Sequence, residues 1–165
     1  MTSRLLVDKI EGKASSGTIQ MPAGMVIQTL SFEQPNNNID TTSTSYVATG
    51  WVTSITPKFS TSKILWTIAG GLVSYGSGNC IGYTQLHRQI ASGGYSSIYN
   101  VGRRYLNNYS YYEPHSAQFM DSPNTTSQVD YQCFFKTSAN TFYWAGLPHS
   151  TDNGAIIVTL QEISQ

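Results

Sequence analysis

From residue 25 onward, apolar side chains recur at every second position in short runs. Each run stops at a cluster of Gly, Pro, Asn or Ser. Residues 25–32 form the first run, with Val26, Leu30 and Phe32 expected on one face of a strand. Residues 46–55 carry Val47, Trp51, Val52 and Ile55, are interrupted by Gly50, and end before Pro57. In 64–73, Ile64, Trp66, Ile68 and Leu72 point one way, and in 80–90, Leu86 and Ile90 share the face of Cys80. Further strands are predicted at 116–120, 129–137 and 141–144. The last run, 155–163, sets Ile156, Val158 and Leu160 against Ala155, Ile157 and Ile163 on the opposite face, the pattern of a strand covered on both sides.

Turn chemistry separates the runs: Pro35 to Asn38, the Gly76 to Gly78 stretch, and Gly93-Gly94. No window of a dozen residues holds a helical stripe free of Gly, Pro or a dense Ser/Thr cluster. The pattern predicts an all-β fold, a jelly-roll-like antiparallel β-sandwich. Ahead of it, residues 1–24 read as a short extended N-terminal arm, and 25–165 as the sandwich head. Within the arm, Leu5, Leu6, Val7 and Ile10 have no core of their own and need a surface to dock on. Pro22 blocks ladder pairing, and Gly24 allows the bend that separates arm from head.

Composition narrows the class. Only 11% of residues are charged, against 39% hydrophobic, so solubility falls to Ser, Thr, Asn, Gln and Tyr. Such surfaces suit extracellular and virion β-proteins. The net charge is zero and Arg103-Arg104 is the only basic pair, so no nucleic-acid footprint is expected. The longest apolar run is broken by Gly70 and Gly71, and Met1 to Lys13 lacks an apolar leader core. Neither membrane insertion nor export by a signal peptide is expected. Cys80 and Cys133 are expected as separate, buried, reduced thiols.

No G-x-S-x-G or H-E-x-x-H motif occurs, and no cofactor is implied. The nine carboxylates are scattered and mostly expected in solvent. Glu113 and Asp121 remain the pair to test for glycosidase geometry. His87, His115 and His149 lack ligand spacing, so no metal site is expected. His87, in a strand, is expected as a polar residue on an exposed face. The strongest functional signal is tyrosine. Between residues 95 and 112 lie Tyr95, Tyr99, Tyr105, Tyr109, Tyr111 and Tyr112, mixed with Asn and Arg. Tyrosine rings stack on sugars while Asn and Arg bond hydroxyls; equally, tyrosines line sandwich edges and subunit interfaces. Residues 107–114 lack alternation and read as a loop.

Four stretches carry a family resemblance: SGTIQMPAGMVIQTL at 16–30, SKILWTIAGG at 62–71, FMDSPNTTSQVDYQCFF at 119–135 and AIIVTLQEI at 155–163. In this order they resemble the C-terminal distal head of bacteriophage tail fibres, a module common in phages of cyanobacteria and other aquatic bacteria. The resemblance implies a homotrimer of sandwich heads with the last strand near the threefold axis, so that Ile157, Thr159 and Ile163 form the trimer interface. It implies a virion protein assembled in the host cytoplasm, docked by its arm on other tail or baseplate proteins. It also implies adhesion to a bacterial surface glycan or protein, with no catalysis. On this view Tyr105, Tyr109, Tyr111, Tyr112 and His115 make the receptor contact. A full fibre has a shaft, of which almost none is expected in this sequence. A capsid, baseplate or tail decoration or connector protein therefore stays open, and a small surface-glycan depolymerase ranks last.

Overall fold

The computed structural model describes residues 22–34, 39–75, 78–106, 113–145 and 155–165. Among them there is no helix. Ten strands occur: β1 (Val26–Gln34), β2 (Ile39–Thr41), β3 (Val47–Ile55), β4 (Lys63–Tyr75), β5 (Cys80–Ile90), β6 (Ser96–Leu106), β7 (Glu113–Asp121), β8 (Val129–Thr137), β9 (Phe142–Ala145) and β10 (Ile156–Ile163).

The pairing is nested. β5 pairs β6, β4 pairs β7, β3 pairs β8 and β1 pairs β10, all antiparallel. That is one long two-stranded ribbon, going out through β1, β3, β4 and β5 and returning through β6, β7, β8 and β10. Rolled on itself, the ribbon gives two sheets, β1-β10-β4-β7 and β3-β8-β5-β6. This is an antiparallel jelly-roll sandwich, as the apolar alternation predicts. β2 and β9 extend the first sheet beside Ser74 and Tyr75 of β4.

Two glycines are required by close approach. A side chain at Gly70 would meet the Ala155 carbonyl, and its φ of +89° lies in the left-handed region. There β4 loses register with β7. Gly82 faces the core, and a Cβ there would enter the Phe142 ring. Between the sheets lie Trp66, Trp144, Phe135, Phe142, Tyr131, Ile64, Ile68, Leu86, Val158 and Leu160, all buried. Trp51 tilts against Trp144 at 6.5 Å. Cys80 and Cys133 are free and buried, and burial pushes the Cys133 thiol up to about 12.

The structure corrects several details. Residues 96–106, read as part of a tyrosine-rich stretch, form the edge strand β6. β2 follows the Pro35 to Asn38 segment, which itself lies outside the described residues. Bulges break the expected alternation. Val26 opposes Ile163, on the face away from Leu30 and Phe32, and Val52 points outward while Trp51 reaches the core.

Two of the carboxylates are buried. Fully buried Glu162 accepts from the Lys58 and Phe59 N–H groups at 2.8 and 3.2 Å and from Gln28 Nε2 at 2.6 Å. Asp121 crosses the sandwich. Arg88 Nη1 donates to Asp121 Oδ1 and Oδ2 at 2.7 and 2.9 Å, and the Tyr131 hydroxyl donates to Oδ2 at 2.7 Å. Burial, then the Asp121 charge, pushes the Tyr131 hydroxyl far up. In the turn that follows, Asn124 takes a φ of +53°, the left-handed geometry Asn tolerates.

Removing Asp121 leaves a guanidinium and a hydroxyl unpaired between the sheets. Asp121→Ala is expected to lower unfolding stability by about 3 kcal/mol, and Tyr131→Phe by about 1 kcal/mol. Urea titration checks this. An Asp121→Ala midpoint equal to that of the parent protein would show that the link contributes nothing.

Candidate functional site

Alternation along β3, β8, β5 and β6 sends one set of side chains to the core and the other to the outward face of that sheet. The register orders the outward set into four rows. The first is Tyr46, Lys136, Tyr83 and Arg103, with Tyr105 one pleat further along β6. The second is Ala48, Phe134, Gln85 and Asn100. The third is Val52, Gln132, His87 and Ser97. The fourth is Ser54, Asp130 and Gln89.

In the first row, Lys136 Nζ lies 4.8 Å from the Tyr46 ring centroid and 5.1 Å from that of Tyr83, within cation–π range of both. Tyr105 is 66% exposed. In the second row, Gln85 Nε2 donates to Asn100 Oδ1 at 2.9 Å. That bond aims the Gln85 carbonyl oxygen at His87 Nε2, 3.2 Å away, and so sets the imidazole proton on Nε2. His87 stacks on Phe134 at 4.0 Å, and its Nδ1 is buried without a partner among the described residues. Burial lowers its pKa from the ordinary 6.5. In the fourth row, Asp130 accepts from Ser54 Oγ at 2.7 Å. Next to Gln85 and Asn100, an open hollow of about 430 Å³ is lined by Ser97, Ile98 and Tyr99 as well. Inside the sandwich, a hollow between Trp51, Trp66, Tyr131 and Trp144 measures only about 10 Å³, room for no more than roughly one water molecule.

The outward face of the other sheet is different. Ile157, Thr159 and Ile163 of β10 all point out, flanked by Thr67 and Leu65 of β4 and by Ser31 and Thr29 of β1. Ile157 is 44% exposed and Met120, beyond Leu65 on β7, is 43% exposed. Among the described residues, charge sits at its margins, with Lys63, Glu33 and Asp40.

Of the predicted contact residues, Tyr105 stands exposed at the end of β6, whereas Tyr109, Tyr111 and Tyr112 lie outside the described residues. His115 sits within β7, its backbone opposite Gly70, not in the loop. Leu5, Leu6, Val7 and Ile10 also lie outside the described residues. Tyr99, weighed as a sugar-stacking ring, faces inward and stacks on Phe119 at 4.7 Å. His87 is half-buried and ring-stacked rather than freely exposed. Glu113 and Asp121 stand at opposite ends of β7, about 26 Å apart along the strand, so they form no glycosidase pair. Among the described residues, no three His, Cys, Asp or Glu converge, and no helix is long and apolar enough to cross a membrane. Sequence reasoning missed Tyr46, Tyr83 and Lys136, which become neighbours only through strand pairing.

No protein-family model matches the chain, and no curated protein sequence does. Among solved structures, it is similar to that of the infectious bursal disease virus Gx strain, with a TM-score of 0.45 and 9% identity. It is also similar to a mutant VP2 protein of infectious bursal disease virus in derived T=1 particles, with a TM-score of 0.38 and 9% identity. All of this chain is covered in both, against 42% and 41% of theirs, so it spans about two-fifths of their length. Both TM-scores lie below 0.5.

Burial of His87 gives a pH dependence with a definite sign. The unfolded chain takes up a proton on His87 near its ordinary value of 6.5, the folded chain only below it. Stability from this group is therefore complete above that value and is lost as pH falls through and below it. The urea midpoint is expected to drop between about pH 7.5 and about pH 5.5, and His87→Gln to flatten that drop. An equal slope in the variant would assign the effect to other groups.

Proposed function

We propose that this chain is a virion structural protein of a bacteriophage: the head of a tail fibre, which adheres to the bacterial surface without catalysis. One observation carries the reading, the polarity of the sandwich. The N-terminal approach lies at one end, where Gly24 N–H donates to the Ser164 carbonyl and Ser164 N–H to that of Met25. Ile163, Lys63 and Asp121 sit at that same end. Exposed Tyr105 lies at the opposite end, as do Leu106 and Glu113, which bracket Tyr109, Tyr111 and Tyr112. A strand of eight residues separates the two ends by about 26 Å. An arm that docks Leu5, Leu6, Val7 and Ile10 on tail or baseplate proteins thus leaves the tyrosine end pointing at the host.

The head is proposed to act as a homotrimer through Ile157, Thr159 and Ile163. Their face is aliphatic and rich in hydroxyls, with charge at its margins among the described residues, which suits burial against sister chains. Asp121 is held by Arg88 and Tyr131, far from Glu113 and in no position to act as a free acid or base, which favours adhesion over hydrolysis. The rival, a decoration or connector protein, shares the trimer but has no receptor.

Light scattering on the full chain is expected to give three chains per particle, and Ile157→Asp to give monomers. The labelled protein is expected to adsorb to host cells and to compete with phage. Replacing Tyr109, Tyr111 and Tyr112 together by Ala should weaken adsorption on the order of a hundredfold through lost avidity. A trimer that adsorbs to no host cell supports the decoration protein; a stable monomer removes the fibre-head reading.

A further inference from the structure

We propose that the row Tyr46–Lys136–Tyr83–Arg103, with Tyr105 beside it, is a binding site for an acidic glycan whose pyranose rings carry carboxylates. This rests on the adhesion reading above and names its ligand class. Lys136 and Arg103 are the two cross-strand neighbours of Tyr83 on one face. They stand two strand spacings apart, about 10 Å, the length of a disaccharide, with the Tyr83 ring between them. Neither cation is paired with a carboxylate among the described residues. The described carboxylate on the same face, Asp130, lies six residues away along β8 and is engaged by Ser54 and Gln128. The protein as a whole carries no net charge, so two cations with no carboxylate partner among the described residues form a local positive strip on one tyrosine row.

The strip is held in place. Lys136 is fixed over two tyrosine rings, so little side-chain freedom remains to be lost on binding. Arg103 offers a planar fork that fits a carboxylate with two parallel hydrogen bonds. Tyr83 and the exposed Tyr105 present ring faces for the apolar side of a pyranose. One row away, the Gln85 and Asn100 amides border the 430 Å³ hollow and can bond ring hydroxyls. Each cation stands alone, which suits one charge per sugar unit. A phosphate monoester, with nearly two charges, calls for converging cations. A single-stranded nucleic acid needs a longer basic track than two residues provide.

The test uses the full chain on an array of bacterial capsular and lipopolysaccharide-core oligosaccharides. Each acidic member is printed beside its carboxyl-reduced or dephosphorylated counterpart, with polyuridylate as the nucleic-acid arm. Binding is expected on carboxylate-bearing members, lost after carboxyl reduction and weakened by salt. Lys136→Gln and Arg103→Gln should each raise Kd about tenfold, and Tyr83→Ala at least as much, with unchanged urea midpoints. Equal binding to reduced glycans, loss only on dephosphorylation, tighter binding to polyuridylate, or no binding at all overturns the proposal. Cell adsorption separates the two levels. Variants that adsorb to host cells like the parent protein exclude this row but leave adhesion standing, whereas a parent protein that never adsorbs removes adhesion itself.

Discussion

A carboxylate buried between the sheets aligns this sandwich. Asp121 sits at the end of β7 in one sheet, and Arg88 and Tyr131, cross-strand neighbours in the other, both donate to it. The remaining inner surface is aromatic and aliphatic, and such contacts are non-directional. Two apolar faces alone tolerate sliding. A buried charge does not, because any slip that parts Asp121 from its donors strands it without water. The link is thus a device for alignment more than for net stability.

Its position has consequences. Asp121 lies at the end of the roll where β1 begins and β10 ends, and Glu162 ties the 58–59 turn to the same end. Two buried carboxylates, each satisfied by several donors, therefore fix the end from which the chain enters. At the other end β4 turns at Gly70, and β2 and β9 extend the sheet. The two ends of the sandwich therefore differ in construction. The two outward faces differ as well. One is threonine and aliphatic, the other amide, tyrosine and cation.

The strands that form the core were legible in the sequence because burial imposes strict alternation. The predicted limits 80–90 and 129–137 coincide with β5 and β8, and 155–163 differs from β10 by one residue. β6 was not legible. It is an edge strand with register shifts against β5, and its outward residues Ser97, Asn100 and Arg103 resemble a loop. Buried carboxylates were not legible either. An Asp or Glu in an apolar run looks solvent-facing until its donors are known, and those of Glu162 lie more than a hundred residues away.

Tyrosine shows most clearly where composition stops and register begins. The density of tyrosines near residue 100 indicated a contact surface, but a strand sends alternate side chains to opposite faces. Tyr99 and Tyr131 go inward, one stacked on Phe119, the other bonded to Asp121. Tyr83 and Tyr105 go outward, beside Lys136 and Arg103. The bulge between Thr84 and Gln85 in the β5–β6 ladder shifts this parity along β6. It leaves Tyr99 opposite Leu86, facing the core, and Asn100 opposite Gln85, facing out. One extra residue in an edge strand thus decides which rings fill the interior and which face outward, and no count of tyrosines carries that information.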